Sequence, residues 1–236
     1  MEKIKISDLT FGYDETLFEN LNLEIKLGTV NTLVGPNKSG KTTLAKILAG
    51  IIKTDSVYFN GELIKNKELQ KNVIYISNST KIEKKDIKKL KKLEFSEYFN
   101  INDILQKKYF NKEDISTLLI IKSLLTNPKI LIIDNILHLV NIKDDVLKYA
   151  KDNKITLINI TNDMEESLLG DNIIILNNKK IILNSKATTV LKKEKKLNEN
   201  KLTLPFMIDL SNKLKFYDLI KTDILDMNEM VDVLWK

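Results

Sequence analysis

The hydrophobic residues of this 236-residue chain follow two different periods, which predict strands in some segments and helices in others. Ile4 and Ile6 alternate with polar neighbours over residues 3–9, a pattern that predicts a strand. Residues 130–133 are continuously apolar, which is typical of a strand buried in a parallel sheet. Further strands are predicted at residues 22–25, 29–34, 57–59, 73–76, 155–160, 173–176 and 181–183.

Apolar residues at helical spacing separate several of these strands. Leu44, Ile47 and Leu48 predict a helix over residues 43–51, which Gly50 ends. Residues 115–125 predict a strongly apolar helix, and residues 81–111 are charged and helical in character. Because strands alternate with helices along the chain, the sequence implies an α/β fold.

The remaining segments predict turns, a linker and a helical tail. Residues 11–14 and 177–180 predict turns, and the charged residues 191–201 predict a solvated linker. Two amphipathic helices follow, with apolar positions at Phe206, Leu210, Leu214 and Tyr217 and at Met230, Val231, Leu234 and Trp235. We expect this tail to serve packing or association rather than catalysis.

Composition narrows the possible functions. The chain has no cysteine and one histidine, His138, so thiolate and multi-histidine metal sites are excluded. The N-terminus lacks the apolar core of a signal peptide, and no apolar run is long enough to span a membrane, so we expect a cytosolic location. All 38 basic residues are lysine, and without arginine the net charge of +6 does not indicate a nucleic-acid partner.

Glycine is concentrated near the N-terminus, where six of the seven glycines precede residue 62. Two of them, Gly35 and Gly40, belong to a complete G-x-x-x-x-G-K-[ST] phosphate-binding loop between a predicted strand and a predicted helix. Glycine lets backbone N–H groups converge on phosphate, Lys41 would reach the β- and γ-phosphates, and Thr42 would ligand Mg²⁺. A chance loop is the alternative.

A carboxylate completes this chemistry. Asp134 follows the apolar run at residues 130–133, and ligands of parallel sheets bind at the carboxyl ends of the strands. We therefore expect Asp134 to hold Mg²⁺ through water, the alternative being an ordinary surface aspartate at a strand end.

These residues together resemble the ATP-binding cassette (ABC) family. Tyr13 lies where that family places an aromatic residue that stacks on adenine. Residues 35–43 are close to the family's GPNGSGKTT, with Lys38 replacing a glycine. Residues 124–134 resemble its Walker B stretch, and residues 161–165 resemble its THDME switch. The resemblance implies ATP and Mg²⁺ as cofactors. The nucleotide contacts it implies are Tyr13, Gly35, Pro36, Asn37, Lys38, Ser39, Gly40, Lys41, Thr42 and Thr43.

The resemblance also implies an architecture and partners. The fold would be the P-loop NTPase fold of the ABC ATPase type, with a mostly parallel core sheet, an N-terminal antiparallel β subdomain, a shortened helical subdomain at about residues 80–125 and a helical C-terminal extension. The ATP-binding domain would span residues 1–190, the linker 191–203 and the extension 204–236. The extension resembles that of energy-coupling factor ATPases, which implies a second ABC ATPase subunit, a transmembrane coupling protein and a substrate-capture membrane protein at the cytoplasmic face of the membrane. A plain packing appendage is the alternative.

Several positions depart from the family pattern. Asn135 replaces the glutamate that polarises the attacking water, and an amide cannot accept a proton at neutral pH. Asn162 replaces the switch histidine, which His138 cannot substitute, and Asn78 replaces the glutamine that senses Mg²⁺. The family's LSGGQ signature falls at residues 110–114, where there is no glycine, and where Glu113 and Asp114 predict repulsion of a polyanion.

Three functions remain open on these grounds. The resemblance favours an ATP-binding subunit of a transporter. The departures favour a heterodimer in which this subunit supports dimer closure but hydrolyses ATP slowly or not at all. A soluble, nucleotide-dependent regulatory module is the main alternative, and an ABC protein acting on nucleic acid is disfavoured. The seven lysines of residues 81–92 are either a solvated helix face or a contact with anionic lipid headgroups.

Overall fold

A six-stranded, mostly parallel sheet forms the centre of the structure, a computed structural model that describes residues 2–91 and 98–235. Its strand order is β10-β9-β3-β8-β7-β6, and only β10 runs antiparallel to its neighbour. The strands are β3 (Val30–Val34), β6 (Val73–Ser77), β7 (Ile130–Asp134), β8 (Thr156–Thr161), β9 (Asn172–Asn177) and β10 (Lys180–Lys186). The predicted α/β fold is confirmed.

A second, antiparallel sheet is built from the N-terminal part of the chain. Its order is β2-β1-β4-β5, with strands β1 (Lys3–Gly12), β2 (Thr16–Lys26), β4 (Val57–Phe59) and β5 (Glu62–Leu63). Because Phe11 and Gly12 pair with Phe18 and Thr16, the turn predicted over residues 11–14 begins two residues too early.

Helices form where the apolar spacing predicts them and also in segments for which no helix was predicted, at residues 66–72, 143–152, 187–190 and 194–199. They are α1 (Lys41–Leu48), α2 (Asn66–Asn72), α3 (Lys84–Leu90), α4 (Asn102–Gln106), α5 (Lys112–Leu125), α6 (Lys143–Asp152), α7 (Ala187–Val190), α8 (Glu194–Glu199), α9 (Phe206–Phe216) and α10 (Met227–Leu234). Gly50 has φ +67° and donates to Ile47 O, so it ends α1 as predicted. Residues 92–97, which belong to the predicted helical subdomain and the lysine run, lie outside the described residues.

Two apolar cores cover the two faces of the central sheet. One core joins α1 to both sheets, with Leu44, Ile132 and Phe18 among its buried residues. The other packs α5 and α6 on the opposite face, with Leu118 and Val146 among its buried residues. This arrangement presses α1 against β6 and β7, so that the start of α1 lies beside the carboxyl end of β7.

The segment at residues 191–201 is not wholly solvated, contrary to the sequence-based expectation. It contains α8, and Leu197 of that helix is completely buried in a third apolar cluster with Val34 and Met164. The lysines around Leu197 are exposed, so the charged composition describes only the outer face of the helix. Where the domain ends and the extension begins stays a prediction.

The C-terminal extension has a small core of its own, formed by Met207, Ile220, Ile224 and Met230. The inward face predicted for α9 was wrong at both ends, because Phe206 and Tyr217 are 55% and 70% exposed. Ser211 is instead buried within the extension, where its hydroxyl donates a hydrogen bond to Ile224 O. Within the described residues, no helix is both long and apolar enough to cross a membrane.

Candidate functional site

The loop that connects β3 to α1 packs so closely against neighbouring residues that two of its positions need glycine. A Cβ on Gly35 would lie 2.0 Å from Leu176 O, the backbone of the neighbouring strand β9. Gly40 has φ +104°, and a Cβ there would lie 2.8 Å from the ring of Phe18. The loop therefore keeps its tight curvature at the carboxyl end of β3, directly before the N-terminus of α1.

Lys41 and Ser39 of this loop have hydrogen-bond donors that a ligand could use. The ammonium of Lys41 is buried and donates to Gly35 O at 2.6 Å and to Pro36 O at 2.9 Å. Burial lowers the pKa of Lys41, and the charge of Asp134 partly offsets this effect. The buried Ser39 hydroxyl has no hydrogen-bond partner among the described residues. A hydroxyl and an ammonium held in a glycine loop fit a phosphate-bearing ligand.

Asp134 accepts hydrogen bonds from three side chains. Thr42 Oγ1 and Tyr75 Oη both donate to Asp134 Oδ2 at 2.8 Å, and Asn135 Nδ2 donates to Asp134 Oδ1 at 3.0 Å. The parallel pairing of β6 with β7 sets Ser77 opposite Asp134, which brings Tyr75 within reach from the next strand. Burial and the hydrogen bond to Asp134 raise the pKa of Tyr75, so its phenol stays protonated at neutral pH and donates a hydrogen bond.

Tyr75 is a site residue that sequence reasoning missed. The only signal in the sequence is a single hydroxyl within the otherwise apolar residues 73–76, and that signal does not identify a partner 59 residues away.

One cavity of about 350 Å³ joins most of the predicted nucleotide contacts. Its walls are Tyr13, Leu17, Asn37, Lys38, Ser39, Gly40, Lys41, Thr42, Thr43 and Asn135. Tyr13 is 68% exposed, and its ring meets Phe11 edge-on with 5.2 Å between ring centroids. An exposed aromatic ring at the rim of a cation-lined cavity can stack on a planar base.

The three asparagines at the departing positions are not grouped together. Asn135 lines the cavity, and Asn78 Nδ2 donates to Asn135 O at 3.2 Å from a neighbouring cavity of about 450 Å³. Asn162 is exposed and lines neither cavity.

His138 is oriented by a buried carboxylate. Its Nδ1 lies 3.7 Å from Glu166 Oε1, while Asn159 Nδ2 and Thr161 Oγ1 also donate to Glu166, at 2.6 Å and 3.2 Å. His138, which follows β7, therefore lies beside Glu166, which follows β8, and it also lines the cavity that contains Asn78. That His138 does not replace the switch histidine stays a prediction.

The structure corrects one electrostatic expectation for the signature segment at residues 110–114. Asp114 does not face outward as an added negative charge, because it is buried, caps Asn111 N and pairs with Lys107 at 2.6 Å. Burial opposes ionisation of Asp114, but the hydrogen bonds from Lys107 and Asn111 outweigh it and hold its pKa below the usual value. Glu113 accepts a hydrogen bond from Asn141, so repulsion of a polyanion would come from Glu113 alone.

Mg²⁺ would need ligands from the nucleotide as well as from the protein. Among the described residues there is no cluster of three acidic or histidine side chains that could hold a metal ion. Thr42 and Asp134 offer two oxygen atoms of the type that Mg²⁺ prefers, beside the loop that fits phosphates. The donor set therefore fits Mg²⁺ bound together with a phosphate chain.

Comparison with known proteins gives a consistent result. A family model described as ABC transporter matches residues 18–138. The energy-coupling factor transporter ATP-binding protein EcfA1 of Mesomycoplasma hyopneumoniae (strain 7448) is 28% identical over 273 aligned positions, which take in 99% of this chain and 97% of that protein. EcfA1 of Leuconostoc mesenteroides subsp. mesenteroides is 27% identical, with 92% and 91% covered.

Solved structures share the fold at lower identity. The cbiO1 protein of Clostridium perfringens, part of the ABC transporter complex cbiONQ, aligns with a TM-score of 0.62 and 20% identity, covering 89% of this chain and 98% of that one. MJ1267, an ATP-binding cassette of an ABC transporter in its ADP conformation, aligns with a TM-score of 0.63 and 18% identity, covering 84% and 98%. The P-loop fold of the ABC ATPase type, expected from the sequence, is thereby confirmed.

Proposed function

The chain belongs to the ABC transporter family, and from that premise we propose that it is the ATP-binding subunit of a membrane transporter of the energy-coupling factor type. The single observation that carries the proposal is the arrangement of Lys41, Ser39, Thr42 and Asp134 around the glycine loop. The names of the EcfA1 relatives, which match nearly the whole chain, support the transporter class over a detached regulatory module.

The side chains in and beside the cavity have separate roles in this proposal. Lys41, Ser39 and the loop N–H groups bind the phosphates, and Tyr13 stacks on adenine. Thr42 and Asp134 hold Mg²⁺, with Asn78 at the edge of the same network. When bound, Mg²⁺ neutralises charge on the phosphate oxygens. Tyr75 and Asn135 orient Asp134 by donating to its two oxygens.

Slow or absent hydrolysis by this chain is the second part of the proposal. ABC-type ATPases need a base beside the attacking water, and loss of a general base typically costs about 10²–10⁴ in rate. Here Asn135 offers an amide that already donates to Asp134, and the exposed Asn162 offers no titratable ring. Binding of ATP would then support closure of a dimer without rapid turnover of the nucleotide.

The partners of this subunit follow from its relatives. We expect a second ABC ATPase subunit, a transmembrane coupling protein and a substrate-capture membrane protein, with this chain at the cytoplasmic face of the membrane. The alignment with the Mesomycoplasma relative is 273 positions long, although this chain has only 236 residues. At least 37 positions of that alignment therefore have no residue of this chain opposite them.

Two measurements test the proposal. Purified chain should bind ATP in the presence of Mg²⁺, and Lys41→Ala should abolish binding while the protein stays folded. Turnover of the membrane complex that co-purifies with the chain should rise on Asn135→Glu if the missing carboxylate limits the reaction. Rapid turnover by the isolated wild-type chain, abolished by Lys41→Ala, would contradict slow hydrolysis, and purification without any polytopic membrane protein would contradict the transporter role.

A further inference from the structure

Lys38 has an unusual backbone conformation for a residue with a side chain. Its φ is +66°, in the left-handed region that residues with a side chain rarely adopt. Gly40, two residues later, also has positive φ, and Ser39 N between them donates to Pro36 O at 3.2 Å. A left-handed residue in a tight turn is a feature of backbone nests that bind anions. A glycine would adopt this turn without the steric penalty. Lys38 differs from other lysines of positive φ, such as Lys154, because it lies in the loop that lines the cavity.

The charge of Lys38 is available to a ligand. Its side chain is exposed and lines the same cavity as Lys41, Thr42 and Thr43. Within residues 2–91 and 98–235, the Lys38 ammonium has no hydrogen bond or ion pair. No aspartate or glutamate is among the described residues that line this cavity, although the charge of Asp134 acts on Lys41. Lys38 therefore adds a positive charge to the cavity wall that no lining carboxylate neutralises.

The two cations differ in their surroundings. The ammonium of Lys41 is buried and held by two loop carbonyls, whereas that of Lys38 is solvated and unpaired. Attraction between charges grows with the charge of the ligand, and salt screens it strongly at an exposed position. An exposed cation beside the loop therefore favours the more highly charged nucleotide, and its effect depends on ionic strength.

We propose that Lys38 is a second phosphate-binding cation of this cavity, which strengthens the binding of nucleoside triphosphates more than that of diphosphates. This proposal rests on the proposed ATP-binding function and adds a residue that sets specificity for the γ-phosphate. Its consequence is a conflict between stability and binding at one residue, because the backbone favours glycine while the ligand favours lysine.

The test compares three variants by titration with Mg-ATP and Mg-ADP and by thermal unfolding. Lys38→Gly should weaken ATP binding about three- to thirtyfold at low salt, weaken ADP binding less, and approach wild type at about 0.5 M salt. The same variant should keep or raise the thermal midpoint, because the left-handed backbone no longer carries a side chain. Lys38→Arg should retain most of the ATP affinity, because it keeps the charge.

Lys154 provides a matched control. It is also an exposed lysine with positive φ, at +55°, but it lies in the turn between α6 and β8 and does not line the cavity. Lys154→Gly should therefore change stability in the same direction as Lys38→Gly while leaving ATP affinity unchanged.

Other outcomes would overturn the inference. Equal ATP affinity for wild type and Lys38→Gly at low salt would remove Lys38 from phosphate binding and leave the proposed function intact. A loss of affinity together with a lower thermal midpoint, or an equal loss for Lys38→Arg, would assign Lys38 a structural role. Failure of the wild-type chain to bind ATP at all would overturn both the proposed function and this inference.

Discussion

The hydroxyl of Tyr75 shows how a single residue depends on its neighbours in the fold. It shares Asp134 Oδ2 with Thr42, while Asn135 holds the other oxygen of the carboxylate. Asp134 is 4% exposed, so these donors replace most of its contact with water. A carboxylate held in this way keeps one orientation toward a metal ion, which is the usual role of the second layer of residues around metal ligands.

Tyr75→Phe should therefore weaken Mg²⁺ binding by the ATP complex about tenfold, because Asp134 loses one of its orienting hydrogen bonds. The measurement is a Mg²⁺ titration of the chain with ATP, beside a titration with ATP alone. Tyr58→Phe is the matched control, since Tyr58 is a partly buried tyrosine of β4 in the other sheet. An equal loss of ATP affinity with and without Mg²⁺ would argue against a role in orienting the metal ligand.

At the scale of secondary-structure elements, α8 differs most from its sequence pattern. The helix and the residues before it have the composition of a solvated segment, with four lysines at residues 192, 193, 195 and 196. Leu197 nevertheless lies fully buried in a cluster with Val34, the last residue of β3, and Met164, which follows β8. One apolar side chain thus anchors a charged helix beside the central sheet, while the lysines remain in water.

Leu197→Ala should lower the free energy of unfolding by about 2–5 kcal/mol, because it leaves a cavity in a packed cluster. Denaturant unfolding measures this change, and Lys196→Ala on the exposed face should stay within about 0.5 kcal/mol of wild type. A small effect for both variants would mean that residues 191–201 behave as the linker that their composition predicts.

At the scale of the whole molecule, two ion pairs with buried carboxylates join separate segments of the helical part of the chain. Asp86 of α3 pairs with Lys122 of α5 at 2.7 Å, and Asp114 at the start of α5 pairs with Lys107 at 2.6 Å. The hydrogen bond from Lys122 lowers the pKa of Asp86, and the hydrogen bonds to Asp114 outweigh its burial and lower its pKa as well. Both carboxylates are nearly inaccessible to solvent, so salt screens these pairs less than exposed ones.

The stability of the chain should therefore fall in acid. A carboxyl whose pKa is lower in the folded state stabilises the protein above its unfolded pKa of about 3.9, and this contribution is lost as the pH falls through the folded pKa. Unfolding followed between about pH 6 and pH 3 should show a steeper loss for wild type than for the double variant Asp86→Asn/Asp114→Asn. Changing the exposed Asp55 and Asp232 to asparagine should leave the slope close to that of wild type.

The sequence by itself determined the features that depend on residues adjacent in the chain. The phosphate-binding loop, Asp134 after its apolar strand and the glycine that ends α1 are local patterns, because turn geometry and strand burial act on neighbours in the chain. The alternation of strands and helices predicted the α/β fold for the same reason.

Only the tertiary structure decided which distant side chains meet. It brought Tyr75 to Asp134, left the Ser39 hydroxyl unpaired in the loop, turned Asp114 inward to Lys107 and buried Leu197 beneath a lysine-rich surface. Periodicity shows which face of an element is apolar, but not which element will cover it. The partners and burial of a polar side chain depend on segments far along the chain, so they follow from packing rather than from local pattern.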